Sequence, residues 1–281
     1  MLIDTHSHLN FKAFDEDRDE VIKKSLEQDT WIINASSNYK TSQLAVKIAQ
    51  QHKEGVFASV GLHPINCVID LSQLDEDRLE ELDIEKYREL AKEKGVVAIG
   101  EIGLDYWNEP KGKEKARIFK DKQKQVFLKQ LDLAKELNLP VILHCRKAHQ
   151  DLLEELRIKN YELGGGRGVV HCFTGSWEEA QQYMGLGFYL GFNGIIFKMD
   201  LAETIKKMPL ERMLLETDCP FLCPPSARLS PQGEGGQQDR DEPIFVKYIA
   251  QKIAEIRGES LEKIAQTTTQ NAKNLFKLNY E

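Results

Sequence analysis

The feature that most constrains the fold of this chain is the regular alternation of short apolar runs with longer amphipathic segments. The apolar runs are candidate strands at Leu2–Asp4, Trp31–Ala35, Val56–Gly61, Val96–Gly100, Val141–His144, Val169–His171, Tyr189–Gly191 and Met213–Glu216. Helical patterns lie between them, for example Glu16–Gln28, Thr41–Gln51, Glu80–Glu93, Gln123–Leu137 and Ser176–Met184. Strands that alternate with helices predict a parallel sheet with helical crossovers. Eight such units in 281 residues favour a closed (β/α)8 TIM-type barrel over a doubly wound sheet.

The remainder of the chain adds no second domain to this prediction. The last segment predicts two further helices, Pro243–Ile256 and Leu261–Phe276, with Gly258 between them. No linker rich in Pro, Gly or Ser and no repeat of fixed period divides the sequence. We therefore expect residues 1–281 to form a single α/β domain with extra C-terminal helices.

Composition limits the possible functions. The net charge of −7 counts against a protein that only coats nucleic acid. It counts less against an enzyme, because bound cations can supply positive charge where a phosphate lies. No apolar run approaches the roughly 20 residues of a membrane span, and no signal peptide is evident. We expect a cytoplasmic protein that does not associate with membranes, in which the five cysteines are reduced thiols.

Side chains that can bind metals occur repeatedly at the predicted strand ends. Asp4, His6 and His8 are spaced by two, so on an extended backbone they would share one face, either as half of a metal site or as a polar turn. His63, Glu101, His144, His171 and Asp218 follow or end later strands. In a TIM barrel the active site lies at the carboxyl ends of the strands. Five of the seven histidines lie there, which a set of ordinary core residues does not readily explain.

These strand ends also carry the residues of a family resemblance. The chain resembles the TatD-type metal-dependent deoxyribonucleases at Asp4-Thr5-His6-Ser7-His8, Gly61-Leu62-His63-Pro64, Gly100-Glu101-Ile102-Gly103-Leu104-Asp105-Tyr106, Leu139-Pro140-Val141-Ile142-Leu143-His144-Cys145-Arg146, His171-Cys172-Phe173-Thr174-Gly175 and Glu216-Thr217-Asp218. The resemblance extends to the tail segment Thr269–Phe276. It implies a TIM-barrel metallo-hydrolase that cleaves phosphodiester bonds in DNA. Some relatives are described as 3′–5′ exonucleases, and others as deacylating misacylated tRNA.

The resemblance also implies a ligand set for two divalent metal ions. It assigns His6, His8 and Asp218 to one ion and His144 and His171 to the other, with Glu101 as the bridge. Two cations about 4 Å apart can hold the attacking and leaving oxygens of a displacement. Asp218 can then act as general base towards the attacking water. The imidazole-rich donor set suits Zn, Mn, Fe or Ni better than Mg, whereas the family is often described as magnesium-dependent, so the identity of the ion stays open.

Several polar residues near the site allow two interpretations. His63 either contacts the scissile phosphate or supports the loop, and Arg146 either binds a phosphate or pairs with Asp105 or Glu101. Glu216 is expected to be a buried, hydrogen-bonded carboxylate. A basic run either follows a DNA backbone or forms a solvated helix face; it consists of Lys111, Lys113, Lys115, Arg117, Lys120, Lys122 and Lys124.

The main functional expectation is a nuclease acting on DNA ends or single strands, with no obligate protein partner evident. The alternative is an ester or amide hydrolase of the same fold, such as a D-aminoacyl-tRNA deacylase or a small cyclic amide hydrolase. The complete ligand set disfavours a non-catalytic metal-binding protein. The long segment Cys219–Asp241 follows the last strand, so we expect it to border the site and shape substrate access.

Overall fold

The sheet is a nearly closed barrel. A computed structural model describes residues 1–67, 80–158, 168–225 and 240–278. Its eight strands are β1 (Leu2–Ser7), β2 (Thr30–Asn34), β3 (Val56–Val60), β4 (Val96–Asp105), β5 (Val141–Arg146), β6 (Gly168–Val170), β7 (Tyr189–Phe192) and β8 (Met213–Leu215). Each strand pairs with the next in parallel. β8 returns beside β1, where Thr5 Oγ1 donates to Leu215 O (3.0 Å). The predicted TIM-type barrel is confirmed.

Helices follow the strands around the barrel. They are α1 (Arg18–Glu27), α2 (Tyr39–Gln50), α3 (Ile84–Leu90), α4 (Lys113–Leu137), α5 (His149–Ile158), α6 (Trp177–Gly185), α7 (Ala202–Lys207), α8 (Val246–Arg257) and α9 (Leu261–Phe276). The two extra C-terminal helices occur as predicted. α4 begins at Lys113 rather than Gln123, so most of the basic run lies on this helix. No helix among the described residues is long and apolar enough to cross a bilayer. That residues 1–281 form a single domain stays a prediction.

One end of the barrel is filled by apolar side chains. Seven of the eight strands contribute to one buried cluster, which contains Ile3, Ile33, Phe57, Ala98, Ile142, Val169 and Leu214. α9 adds Ala272, Leu275 and Phe276 to the same cluster. Strands that are covered on both faces are apolar along their length, which accounts for the short Val/Ile/Leu runs in the sequence. The polar side chains that could take part in a reaction therefore lie at the other end of the barrel.

Two strands carry an extra residue where they approach that other end. On β1 the chain advances from Asp4 to Ser7 while β2 advances only from Ile32 to Asn34. β4 advances from Ile99 to Ile102 while β5 advances from Val141 to Leu143. An extra residue of this kind is a β-bulge, which redirects the side chains that follow it. His6 and Glu101 lie within these two bulges.

β4 extends to Asp105, beyond the predicted end at Gly100, because it continues to pair with β5. Gly103 makes this possible. Its φ is +146°, and a Cβ atom at this position would overlap the carbonyl oxygen of His144. Only glycine permits both this backbone conformation and this close approach.

Candidate metal centre

Six side chains proposed as ligands from the sequence meet at the carboxyl ends of the strands. They are His6, His8, Glu101, His144, His171 and Asp218, and their potential ligand atoms form overlapping groups whose members lie within 4.8 Å of one another. The structure therefore brings together residues that are more than 200 positions apart in the sequence.

Glu101 lies at the middle of this cluster. Its Oε2 atom is 3.4 Å from His6 Nε2, and its Oε1 atom is 2.7 Å from His144 Nδ1. Although burial acts to raise it, the pKa of Glu101 is well below the usual value because His63, His6 and His144 stabilise the charged form. Glu101 is thus an ionised carboxylate whose two oxygens face different histidines.

The β1 side of the cluster consists of His6 and His8 with Asp218. The Nε2 atoms of the two histidines are 3.2 Å apart. His8 Nδ1 lies 3.1 Å from Ala35 O, and since a carbonyl only accepts, Nδ1 carries the proton. The other ring nitrogen of His8, Nε2, faces the cluster. Asp218 Oδ1 is 3.2 Å from this atom.

The β5 and β6 side differs, because each histidine there contacts a second carboxylate. His144 Nε2 is 3.0 Å from Asp105 Oδ2, and His171 Nδ1 is 2.9 Å from Glu216 Oε1. Burial acts to lower both pKa values, but the carboxylates outweigh it and raise the pKa of His144 to about 9 and that of His171 to about 10. Carboxylates behind metal-binding histidines fix the orientation of the ring.

Glu216 is itself held in place. Its Oε1 atom accepts hydrogen bonds from the Cys172 amide (2.6 Å) and from Asn193 Nδ2 (3.2 Å). The carboxylate is fully buried. The sequence-based interpretation of Glu216 as a buried, hydrogen-bonded carboxylate is confirmed.

Asp4 does not join the cluster, so the expectation that it shares a face with His6 and His8 is wrong. Its carboxylate accepts hydrogen bonds from the amide (2.9 Å) and the hydroxyl (2.6 Å) of Thr217. The bulge in β1 interrupts the period of two on which the expectation depended. Asp4 instead anchors the residue that precedes Asp218.

Two buried glutamines of α4 position the segments after β3 and along the end of β4. Gln123 accepts a hydrogen bond from Asp105 N (2.8 Å) and donates one to Asp105 O (2.8 Å). Gln130 makes the same pair of contacts with Leu62 N (2.7 Å) and O (3.0 Å), next to His63. Sequence reasoning missed both. The available signal was two amides, seven residues apart, on the face of the helix that packs against the barrel.

His63 and Arg146, predicted to contact substrate, lie at the edge of the cluster. His63 Nε2 is 3.4 Å from Glu101 Oε1, and its Nδ1 accepts a hydrogen bond from Ile65 N (3.1 Å). Burial lowers the pKa of His63, and the neighbouring His144 lowers it further. Arg146 is exposed, and its guanidinium carbon lies 4.0 Å from the centroid of the Trp107 ring.

Several other basic residues are already paired. On α4, Arg117 contacts Glu114 (2.7 Å) and Lys124 contacts Asp151 (3.1 Å), as in a solvated helix face. Residues 226–239 of the long segment Cys219–Asp241 lie outside the described residues. Arg240 from that segment pairs with Asp17 (2.6 Å).

All five cysteines are free thiols. Cys145 and Cys219, which follow proposed ligands in the sequence, are buried.

Comparison with known proteins identifies relatives along almost the whole chain. The family model for TatD related DNase matches residues 3–277. The uncharacterized metal-dependent hydrolase YabD of Bacillus subtilis is 39% identical over 99% of this chain and all of that protein. The 3′–5′ ssDNA/RNA exonuclease TatD of Pantoea ananatis is 34% identical over 99% of this chain and all of that protein.

A solved structure of a relative has a similar fold. The crystal structure of YJJV, a TatD homolog from Escherichia coli K12, superimposes with a TM-score of 0.78 at 28% identity and covers 98% of both chains. These comparisons confirm the family resemblance. They also agree with the predicted enzyme class, a hydrolase acting on ester bonds.

Proposed function

This chain belongs to the family of TatD related DNases, and we propose that it hydrolyses phosphodiester bonds at the ends of single-stranded DNA with two divalent metal ions. The observation that carries the proposal is the position of Glu101, whose two oxygens face different histidines. A carboxylate so placed can bridge two cations. The relative named as a 3′–5′ ssDNA/RNA exonuclease supports this substrate and a 3′–5′ direction.

The ligands of the two ions are proposed to lie on the two sides of Glu101. One ion would be held by His6, His8 and Asp218, and the other by His144 and His171. The residues fit metal ions, because ligand atoms of His6, His8 and Asp218 lie 3.2–3.7 Å apart. Those of Glu101, His144 and His171 lie within 4.8 Å of one another. Such a mixed nitrogen and oxygen set favours Zn, Mn, Fe or Ni over Mg.

Asp218 is the proposed general base. Bound divalent ions lower the pKa of water from about 15.7 towards 7 and stabilise negative charge on a phosphate. Although burial acts to raise it, the pKa of Asp218 is lowered because His171 and His8 stabilise the carboxylate. Asp218 is therefore ionised at neutral pH and can accept a proton from the attacking water.

His63 and Arg146 are the proposed substrate contacts. Because His63 Nδ1 accepts the Ile65 amide, the neutral ring carries its proton on Nε2, beside Glu101. This N–H can donate to a phosphate oxygen. The guanidinium of Arg146 can donate two parallel hydrogen bonds to a phosphate.

The test uses single-stranded DNA labelled with a fluorophore at its 5′ end and protein loaded in turn with Zn, Mn, Fe, Ni or Mg. We expect a ladder of labelled products that shortens progressively, as digestion from the 3′ end requires, and no ladder with Glu101→Ala. Elemental analysis should find divalent metal in the wild-type protein. Absence of cleavage with every metal, together with release of amino acid from D-aminoacyl-tRNA, would favour the deacylase alternative.

A pair of histidine variants provides the matched control. His144→Ala removes a proposed ligand, whereas His149→Ala removes the first residue of α5, a histidine that contacts Cys145 (3.2 Å) and Tyr183 (3.1 Å). We expect a far larger loss of cleavage for His144→Ala. Equal losses would contradict the assignment of His144 to the metal centre.

A further inference from the structure

An exposed indole ring on the rim of the barrel is flanked by two cations. Trp107 is 52% exposed and lies two residues beyond the end of β4. The guanidinium carbon of Arg146 lies 4.0 Å from its ring centroid, and Lys147 Nζ lies 4.3 Å from it. Cations at these distances are attracted to the π face of the ring. Among the described residues, neither Arg146 nor Lys147 pairs with Asp105 or Glu101, whose carboxylates contact histidines.

This rim is connected directly to the proposed metal centre. Trp107 N donates a hydrogen bond to Asp105 Oδ1 (2.8 Å). The other oxygen of Asp105 contacts His144 Nε2 (3.0 Å). The backbone of Arg146 lies opposite that of Asp105 in the register between β4 and β5, and Arg146 follows His144 by two positions. The indole and the two cations therefore stand on the same strand ends as one of the proposed ligands.

We infer that Trp107, Arg146 and Lys147 form a subsite for an unpaired nucleobase next to the cleaved phosphodiester, with the base stacked on the indole and a neighbouring phosphate bound by the cations. This inference rests on the proposed nuclease function. An exposed aromatic ring combined with cations is the composition that binds single strands, because every base has a π face. In a duplex the bases are already stacked and paired, so this subsite selects unpaired ends.

The charge of the whole molecule makes local cations important. With a net charge of −7 the chain has no general attraction for a polyanion. Several cations of α4 are neutralised by carboxylates, for example Lys120 by Glu109 (3.1 Å). Arg146 and Lys147 instead contact an aromatic ring at the mouth, where a phosphate can reach them.

The experiment compares two substrates that differ only in the base. One is a single-stranded oligothymidylate, and the other is the same strand with tetrahydrofuran in place of the bases near its 3′ end. For Trp107→Ala we expect kcat/KM on the oligothymidylate to fall about 5- to 150-fold, mainly through KM, and to change less than about twofold on the abasic strand. Trp107→Phe should fall between the wild type and Trp107→Ala.

The outcomes separate this inference from the proposed function. If the wild-type enzyme cleaves neither strand, the nuclease function fails and the subsite with it. If the wild-type enzyme cleaves both strands and Trp107→Ala either leaves both rates unchanged or lowers both equally, only the subsite is overturned. An equal loss on both strands would mean that Trp107 supports the rim and does not bind a base.

A variant of Lys147 tests the proposed phosphate contact independently of the base. We expect Lys147→Ala to raise KM for the oligothymidylate and to reduce the slope of log KM against log salt concentration by about 0.7, because one phosphate contact is lost. Lys273→Ala is the matched control, since Lys273 Nζ lies 4.9 Å from the Trp31 ring but on α9, away from the mouth. A salt slope unaltered by Lys147→Ala would contradict the phosphate contact.

Discussion

The two ends of this barrel are built from opposite kinds of side chain. Where the strands begin, the interior is apolar and is covered by α9. Where they end, five histidines surround a buried glutamate. Burying so many ionisable groups costs free energy unless each is paired or binds a metal. The apolar end therefore provides the stability of the fold, which allows the polar end to bury the ionisable groups of a metal site.

The largest effect that this comparison predicts is on catalysis at the polar end. Asp218→Asn keeps the size of the side chain but removes the proposed general base, so kcat should fall about 10²- to 10⁴-fold. The free energy of unfolding, measured with urea, should fall by less than about 1 kcal/mol, because this end contributes little to stability. A strongly destabilised Asp218→Asn protein would break the division between the two ends.

The counterpart at the apolar end is Phe57, which is 4% exposed. Phe57→Ala should lower the free energy of unfolding by about 3–5 kcal/mol, because it leaves a cavity among the inner strands. Its kcat, measured below the unfolding transition, should stay within about twofold of the wild-type value. A large loss of kcat in protein shown to be folded would contradict the separation.

An intermediate effect is expected at the carboxylate behind His171. Glu216→Gln retains an oxygen for the Cys172 amide but removes the charge that faces the ring. Metal affinity should fall about 10- to 100-fold, as for other partners of metal-binding histidines. Competition with a chelator would measure it, and Glu262→Gln, in the first turn of α9, is the control. Equal metal affinities for the two variants would contradict a role of Glu216 in positioning His171.

The smallest effect concerns an ion pair on the surface. Arg240 lowers the pKa of Asp17 mainly through a hydrogen bond. A lowered pKa means that the pair stabilises the fold above the unfolded-state pKa of about 3.9 and that this contribution is lost as the pH falls through the folded-state pKa. Asp17→Asn should therefore lower the free energy of unfolding by about 0.2–1 kcal/mol at pH 7, and by less near pH 3. A difference that does not shrink on acidification would contradict this origin.

Much of the fold could be predicted because its signal is local. The eight strands and both C-terminal helices follow from apolar runs and helical periodicity, and α9 begins and ends where the pattern does. Element boundaries depend on more than the local pattern. β4 continues past Gly100 because pairing with β5 determines its length, and such pairing is not visible within the strand itself.

The residues of the candidate site likewise differ in whether local sequence predicts their role. The residue types at the strand ends indicated which side chains meet, because parallel strands place their carboxyl ends together. Asp4 and His6 differ in role only because a bulge separates them, and the period of two cannot show a bulge. Gln123, which holds the backbone of Asp105, gave only a weak signal, because a glutamine in a helix is usually exposed.

The barrel, the family and the set of side chains at the mouth can therefore be predicted from the amino-acid sequence, since they depend on local periodicity and on residue type. The folded chain alone sets which oxygen of Glu101 faces which histidine, which carboxylates support His144 and His171, and that two cations lie close to Trp107. These depend on contacts between strands and on bulges, which are set by the packing of segments distant in the chain.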